Sequence, residues 1–254
     1  MTLNYKKYGE QQPTIIILHG LFGMLDNWHN IAKMLSEKFT VYSVDVRNHG
    51  GSPHSDVMTY AEMCHDIAEF CETHAIHKAH FVGHSMGGKL VMSLADLYPQ
   101  LIDKLVVVDI APKKYKPGHL ELFKAMFDLP IDEINSRSEA ENMLKEVIPE
   151  AGIRLFLLKN LQRNPDSGYS WKMNLKAIYS NYESIIGAIT LGWPFSNETL
   201  FIKGENSNYI SESDESVILE MFPNASFETI ENAGHWVHAE NPKDFFNCLV
   251  SFLH

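Results

Sequence analysis

The segment VGHSMGG, residues 82–88, contains the pattern G-x-S-x-G with Ser85 at its centre. It overlaps the end of the apolar run AHFVGH and leads into KLVMSLA, so the serine stands between a predicted strand and a predicted helix. In that setting the pattern is typical of a nucleophile elbow, a strained turn that exposes the serine Oγ at a sheet edge. Small residues at Gly83 and Gly87 let neighbouring backbone approach closely. Ser85 is therefore the predicted nucleophile.

Short apolar runs alternate with longer, helix-like stretches along most of the chain. Helical periodicity predicts helices over 26–38, 59–74 and 87–99. Strand-helix-strand alternation favours an α/β fold with a mostly parallel sheet and helices on both of its faces. The predicted strands are TIIILH (14–19), TVYSVD (40–45), AHFVGH (79–84), KLVVVDI (104–110), TLFIK (199–203) and, more weakly, SFETI (226–230).

This alternation is interrupted between Lys113 and Ile189, where three helix-like segments and no convincing strand are found. Such an interval is too long for a simple crossover between strands. We therefore predict a core made of residues 1–112 and 190–254, with a helical lid inserted over 113–189. Its apolar side chains either form the interior of the lid or line an acyl site. They are Phe123, Met126, Phe127, Phe156, Leu157, Trp171 and Met173.

A serine nucleophile needs backbone donors that stabilise the oxyanion formed when it attacks a carbonyl. The N–H of Met86, which follows the nucleophile, is the first predicted donor. The loop LHGLFG (18–23), at the end of the first buried strand, supplies the second. Leu21 is the favoured residue there, with Phe22 as its neighbour to consider.

The general base is expected to be a histidine late in the chain, after the last strand. The segment NAGHWVHAENP (232–242) offers two, His235 and His238. His235 follows Ala-Gly in a loop from which the ring can reach back over the sheet edge, so it is the predicted base. His238 is expected to lie at the start, or on a face, of the following helix. No histidine spacing suggests a metal site.

Composition and charge exclude several classes of function. The formal net charge is -11 and no basic patch stands out, so no nucleic-acid partner is expected. The first ten residues lack the apolar region of a secretory signal. The run Ile15–Leu18 is too short to span a bilayer, so no membrane insertion is expected. Three cysteines without C-x-x-C spacing fit a cytoplasmic protein.

The motifs HGLFG, DVRNHG, GHSMGG, VVVDIAP and NAGHWVHAENP, in this order, resemble the α/β-hydrolase superfamily, and in particular bacterial YbfF-type esterases and related abhydrolase-domain proteins. DVRNHG together with DIAP is the more specific part of the resemblance, which extends over residues 15–242. It implies an eight-stranded sheet, the chain order Ser, Asp, His, and hydrolysis through an acyl-enzyme. One departure is Asn48, where many members have glycine, although asparagine tolerates the left-handed backbone of that turn.

The catalytic acid is not at its usual position. In most α/β-hydrolases it lies three residues after a glycine that ends a late strand, and here that position is Ser207. A neutral hydroxyl stabilises an imidazolium less well than an anion does. Glu205 follows the glycine directly and is expected to point away from His235. Asp45, in DVRNHG, is expected to brace its own loop together with Arg47.

Asp109 is the favoured acid. It ends the strand after the nucleophile helix, and parallel sheets place their ligands at the carboxyl ends of strands. An aspartate after three valines also needs a partner if it is buried, and a histidine ring would be one. The resemblance to YbfF-type esterases implies the same arrangement. Ser207 then becomes a hydroxyl that helps to fix the ring of His235.

The sequence thus predicts a serine esterase or thioesterase for small acyl esters, without a cofactor or metal. Alternatives on the same scaffold are C–C bond hydrolysis, lactone opening and acyl transfer, because a fold does not settle its chemistry. A catalytically inactive ligand-binding protein is the alternative from another class. Lys113, Lys114 and Lys116 either contact an anionic substrate such as an acyl-CoA or are simply solvated.

Overall fold

A seven-stranded sheet is the centre of the fold in the computed structural model, which describes residues 1–254. Its spatial order is β1-β3-β2-β4-β5-β8-β9, and all neighbours are parallel except β1 and β3. The mostly parallel α/β sheet is therefore confirmed, with all six predicted strands present. The nine strands are β1 Tyr5–Tyr8, β2 Thr14–Leu18, β3 Thr40–Val44, β4 Ala79–His84, β5 Ile102–Val108, β6 Leu161–Arg163, β7 Tyr169–Trp171, β8 Thr199–Gly204 and β9 Ala225–Ile230.

The expected eighth strand is absent, and the prediction of eight was wrong in this respect. A single antiparallel strand, β1, forms the edge of the sheet beside β3. The residues before it make other contacts. The amino group of Met1 donates to Asp66 at 3.0 Å, and the N–H of Asn4 donates to Ser52 Oγ at 2.8 Å. Those bonds tie this segment to a neighbouring helix and loop.

Helices cover the sheet and fill the interval between β5 and β8. The helices predicted near 59–74 and 87–99 are present as α2 and α3, whereas the one near 26–38 is a 3₁₀ turn at Leu25–Trp28 followed by α1. No helix is both long enough and apolar enough to cross a bilayer. The helices are α1 His29–Leu35, α2 Tyr60–Thr73, α3 Met86–Leu97, α4 Leu120–Asp128, α5 Arg137–Lys145, α6 Ala151–Leu158, α7 Leu175–Ser180, α8 Tyr182–Ile185, α9 Glu212–Met221, α10 Val237–Glu240 and α11 Pro242–Leu253.

The interval 113–189, called the helical insertion below, contains α4 to α8 and also a small hairpin of β6 and β7. The expectation of no strand there was wrong. Each strand is only three residues long, too short for the alternation of apolar and polar residues that identifies strands in a sequence. Gly168 precedes β7 with φ of 68°, and a Cβ there would lie 2.3 Å from the carbonyl oxygen of Asp132.

The buried side chain of Lys89, on α3, ties the two ends of the insertion together. Its amino group donates to the carbonyl oxygen of Lys113 at 2.8 Å and to that of Ile186 at 3.3 Å, and also to the carbonyl oxygen of Gly187. Burial lowers the pKa of Lys89 to about 7. These bonds satisfy the amino group inside the protein and hold the insertion against the nucleophile helix.

A buried ion pair holds the loop after β3. Arg47 Nε donates to Asp66 Oδ2 at 2.6 Å, and both side chains are almost inaccessible to solvent. A second nitrogen of Arg47 donates to the carbonyl oxygen of Val57 at 2.9 Å. Next to the arginine, Asn48 has φ of 66°, which is the left-handed conformation expected for that position.

Replacing Asp66 with asparagine should lower the free energy of unfolding by about 3 kcal/mol, because the buried guanidinium of Arg47 loses its buried carboxylate partner and keeps only the exposed Glu62. Urea denaturation followed by tryptophan fluorescence measures the change. Asp128→Asn, at an exposed carboxylate that pairs with Lys124 on α4, is the matched control and should leave the midpoint unchanged. Equal midpoints for both variants would show that the buried pair does not stabilise the loop.

Candidate active site

Ser85 lies in a sharp turn at the carboxyl end of β4, the fourth of the seven strands. Its backbone has φ of 53° and ψ of -114°, a strained conformation for a residue with a side chain. The turn is tight because glycine is present on both sides of the serine. A Cβ on Gly83 would lie 2.1 Å from the carbonyl oxygen of Gly87. The Ser85 N–H donates to the carbonyl oxygen of Val108 at 3.0 Å, which fixes the turn to β5.

A line of hydrogen bonds joins Asp109, His235 and Ser85. Asp109 Oδ2 lies 2.7 Å from His235 Nδ1, and His235 Nε2 lies 3.1 Å from Ser85 Oγ. The carboxylate only accepts hydrogen bonds, so Nδ1 carries the proton and Nε2 is left to accept the serine O–H. Asp109 is fully buried, directly after β5, and its own N–H donates to the carbonyl oxygen of Ile202 at 2.8 Å. This is the geometry of a serine nucleophile with its base and acid.

Ser207 contacts the acid and not the imidazole. Its hydroxyl donates to Asp109 Oδ2 at 2.5 Å, the same oxygen that accepts from His235. The Tyr209 N–H donates to Ser207 Oγ at 3.3 Å, and the Gly204 N–H donates to Asp109 Oδ1 at 3.1 Å. Ser207 can therefore help to fix the histidine ring only through Asp109. The hydroxyl orients the carboxylate, which in turn orients the ring.

The two other acids considered from the sequence form different contacts. Glu205 Oε2 accepts from the N–H of Asn232 at 2.8 Å, in an exposed position. Asp45 accepts from the N–H of Leu25 at 2.7 Å and from that of Gly51 at 2.8 Å. Glu205 thus stabilises the loop before the histidine, and Asp45 braces the loop after β3. Neither carboxylate hydrogen-bonds to the imidazole.

Two residues that sequence reasoning missed hold His235 in place. His84 Nε2–H donates to the carbonyl oxygen of His235 at 2.8 Å, and the ring of Tyr209 stacks on the imidazole with centroids 3.8 Å apart. Burial, and then the neighbouring His235, lower the pKa of His84 well below its usual range, so His84 stays neutral. His84 is the first variable position of G-x-S-x-G, so the motif gave its location next to Ser85 but not its role. No feature of the sequence indicated Tyr209.

His238, the histidine not favoured as the base, lies in α10 and packs against the core. Its ring stacks on Trp28 with centroids 4.0 Å apart and an angle of 7° between the planes. Burial is the main cause that lowers the pKa of His238 to about 3, with His235 as the next cause. His238 makes no hydrogen bond to Ser85, whose hydroxyl faces His235 instead. Its place is structural, beneath the loop that carries His235.

Two backbone N–H groups near Ser85 have no acceptor within the chain. Met86 is the first residue of α3, so its N–H has no acceptor within the helix. Leu21, in the loop after β2, donates to no other group of the chain. Phe22 differs, because its N–H donates to His49 Nε2 at 3.3 Å. The structure thus favours Leu21 over Phe22 as the second donor, while Phe22 contributes to the wall of the cavity.

A cavity of about 720 Å³ lies over Ser85, between the sheet edge and the helical insertion. Phe156 and Leu157, two of the apolar residues expected either to form the interior of the lid or to line an acyl site, are in its wall. Phe123, Met126 and Met173 instead are buried in the core. The insertion therefore uses its apolar side chains both for its own packing and for the cavity.

The lysines that follow β5 are mostly paired. Lys113 Nζ lies 2.6 Å from an Asp214 carboxylate oxygen, and Lys114 Nζ lies 3.2 Å from one of Glu183. Lys116 is exposed at the edge of a smaller cavity beside Ser85. Two of the three charges are thus neutralised within the protein, which favours the interpretation of a solvated, structural cluster.

Comparison with known proteins identifies the class. Residues 13–242 match the family described as alpha/beta hydrolase fold, and the chain belongs to this family. It is 38% identical to esterase YbfF of Escherichia coli, covering 94% of this chain and 92% of that protein. It is 39% identical to the sn-1-specific diacylglycerol lipase ABHD11 of Mus musculus, covering 95% and 81%.

A solved structure, titled marine microorganism esterase, is also similar to this protein. It superimposes with a TM-score of 0.96 at 41% identity and covers 98% of both chains. The relatives named above are thus esterases and a lipase, and the chain falls among the esterase/lipase-type α/β hydrolases. The resemblance to YbfF-type and abhydrolase-domain proteins inferred from the motifs is confirmed.

Replacing His238 with phenylalanine should make the protein less sensitive to acid. A histidine in the unfolded chain has a pKa of about 6.5, whereas burial lowers the pKa of His238 to about 3. Below pH 6.5 the unfolded state therefore binds a proton that the folded state does not, so the free energy of unfolding falls as the pH falls. Between pH 7 and pH 5 this ring accounts for a loss of about 2 kcal/mol. The phenylalanine ring retains the stacking on Trp28.

Urea denaturation at the two pH values measures this prediction. The fall in the free energy of unfolding from pH 7 to pH 5 should be smaller in His238→Phe by about 2 kcal/mol. Between pH 8 and pH 7 the histidine is neutral in both states, so the two proteins should behave alike there. An unchanged acid sensitivity of the variant would contradict a neutral, buried His238.

Proposed function

We propose that this protein is a serine esterase or thioesterase that hydrolyses small acyl esters through an acyl-enzyme. The observation that carries the proposal is the line of hydrogen bonds from buried Asp109 through His235 to Ser85, beneath a large cavity. Each member has the partner that its role requires. The esterase and lipase names of the relatives support the same class of reaction.

The proposed reaction begins with attack by Ser85 Oγ on the carbonyl carbon, while His235 Nε2 accepts the hydroxyl proton. The carbonyl oxygen becomes an oxyanion that accepts from the N–H groups of Leu21 and Met86. His235 then gives its proton to the leaving oxygen or sulfur, and the C–O or C–S bond breaks. Water attacks the acyl-enzyme with the same histidine as base, which releases the acid and restores Ser85.

Asp109 has an electrostatic and a geometric role in this proposal. Its carboxylate fixes the His235 tautomer with the proton on Nδ1 and stabilises the imidazolium that forms during the reaction. The Ser207 hydroxyl and the Gly204 N–H keep the carboxylate in the plane that this bond needs. The helical insertion is proposed to act as a lid that excludes water and surrounds an apolar substrate.

A catalytically inactive binding protein is the weaker alternative. Its main support in the sequence was the serine at the usual position of the acid. Asp109 supplies a carboxylate to the same imidazole from the neighbouring strand, so that support disappears. No contact in the site favours C–C bond hydrolysis, lactone opening or acyl transfer over ester hydrolysis.

A serine-directed fluorophosphonate should label the protein at one residue, because only Ser85 has a histidine at its hydroxyl and two free N–H donors beside it. Ser85→Ala should abolish both the labelling and the hydrolysis of p-nitrophenyl acetate. Ser93→Ala, two turns further along α3, is the matched control and should keep both activities. Labelling of Ser85→Ala at the wild-type rate would mean that another residue is the nucleophile.

Asp109→Asn should reduce kcat by about 10⁴-fold, as loss of the aspartate does in serine proteases, because His235 loses the anion that fixes its tautomer. Ser207→Ala removes one hydrogen bond to the carboxylate, worth roughly 1 kcal/mol, and should reduce kcat about fivefold to tenfold. Steady-state kinetics on one ester, with circular dichroism as a check of folding, measures both effects.

Glu205→Gln is the matched control for these two variants, because it changes a carboxylate near the histidine loop that does not touch the ring. Its kcat should stay within about twofold of wild type. A folded Asp109→Asn that keeps more than a tenth of wild-type activity, beside a Glu205→Gln that loses it, would reassign the acid.

A further inference from the structure

Two cavities of very different size meet at Ser85. The larger, of about 720 Å³, lies under the helical insertion, and the smaller, of about 70 Å³, adjoins it at Ser85 and is also lined by Met86 and Lys89 of α3. Both contain Ser85 and Leu21 in their walls. We call them the large chamber and the small chamber. An ester bound at Ser85 therefore has two spaces of different size within reach of its carbonyl carbon.

His235 identifies the role of each chamber. It lines the large chamber together with Trp236 and does not line the small one. Met86, the first of the two proposed oxyanion donors, lines the small chamber and not the large one. The base is thus on the side of the large chamber, and one of the oxyanion donors is on the side of the small chamber.

The chemistry of ester cleavage then sets the orientation of the substrate. The tetrahedral carbon carries the serine oxygen, the oxyanion, the acyl chain and the leaving group. His235 Nε2 must reach the leaving atom in order to protonate it, so the leaving group extends to the side of His235. The acyl chain extends to the opposite side.

We propose that the small chamber binds the acyl chain and the large chamber binds the alcohol or thiol. The preferred substrates are then short-chain acyl esters of bulky, apolar alcohols or thiols. This inference rests on the proposed serine hydrolase function and adds the substrate class to it.

The wall of the small chamber includes Tyr115 and Lys89, which hydrogen bonds hold in place. Tyr115 accepts from the N–H of Ala111 at 2.8 Å and donates to the carbonyl oxygen of Tyr209 at 2.6 Å. The amino group of Lys89 lies 5.0 Å from the centre of the Tyr115 ring and is bonded to the carbonyl oxygens at both ends of the insertion. A longer acyl chain that displaced Tyr115 would break these bonds and leave buried polar groups unpaired.

The two volumes set the expected chain lengths. A cavity of about 150 Å³ holds a benzene ring. The small chamber, of about 70 Å³, therefore accommodates about half as many carbon atoms, which corresponds to acetyl to butyryl groups. The large chamber has about ten times that space and an apolar lining that includes Leu122, Ile153 and Phe156. It accommodates a branched or long alcohol chain.

Hexyl acetate and ethyl hexanoate test the proposal because they are isomers that differ only in the side of the carbonyl that carries the long chain. The wild-type protein should hydrolyse hexyl acetate with a kcat/KM at least about tenfold higher, after correction for the alkaline hydrolysis rates of the two esters. Octyl acetate and ethyl octanoate should show a larger ratio, since the longer acyl chain exceeds the small chamber further.

One substitution in each chamber provides a matched pair. Ile186→Ala removes apolar volume from the wall of the small chamber and should raise kcat/KM for ethyl hexanoate by about threefold or more. Ile153→Ala, the same change in the wall of the large chamber, should lower kcat/KM for hexyl acetate and leave ethyl hexanoate no faster than wild type. The rate of fluorophosphonate labelling at Ser85 checks that each variant is folded.

The possible results separate the inference from the proposed function. Equal or faster hydrolysis of ethyl hexanoate by the wild type, abolished by Ser85→Ala, would overturn the orientation and leave the serine hydrolase in place. An Ile153→Ala that raises ethyl hexanoate while Ile186→Ala does not would overturn it in the same way. Hydrolysis of either isomer that survives Ser85→Ala would instead contradict the proposed function itself.

Discussion

The arrangement of the active site depends on two left-handed residues placed one strand apart at the same edge of the sheet. Ser85 and Asp109 have φ of 53° and 51°, and each directly follows the last residue of its strand. Both conformations are costly for residues with side chains. The parallel ladder offsets that cost, because the N–H of Ser85 bonds to β5 and the N–H of Asp109 bonds to β8. Each strained turn thus adds one more hydrogen bond to a pair of parallel strands whose register the buried core already fixes.

With both turns fixed, the remaining requirement is the orientation of the His235 ring, which comes from the loop after β9. His235 is held at its carbonyl oxygen by His84, on its face by Tyr209 and at Nδ1 by Asp109. Burial lowers the pKa of His84, which keeps that ring a neutral donor and spares the site a second positive charge when the imidazolium forms. The remaining nitrogen faces Ser85. Of the two histidines in residues 232–242, only His235 is therefore placed to accept the serine proton.

The residues with strong local rules could be predicted from the sequence, and those defined only by distant neighbours could not. The elbow at Ser85 follows such a rule, because a tight turn between strand and helix needs glycine. The buried strands follow another, because a parallel strand buried on both faces needs a continuous apolar run. Asp109 was accessible through a physical argument, the need of a buried carboxylate for a partner. Tyr209 acts through a stacking contact across folded space, and β6 and β7 are too short to have a period. The eighth strand was expected from the family resemblance alone, and no apolar run in the sequence predicted it.

Ser207 is best understood as a consequence of placing the acid at Asp109. The strands β5 and β8 are neighbours, and both end beneath the loop of His235, so a carboxylate from either strand reaches the same nitrogen. Once Asp109 is there, a second carboxylate at position 207 would lie within hydrogen-bond distance of the first. Two such groups cannot both be ionised without a large penalty, and one of them would take up a proton. A hydroxyl avoids the repulsion and donates to the carboxylate, as Ser207 does at 2.5 Å. A neutral donor at position 207 therefore supports the anion that a second acid would weaken.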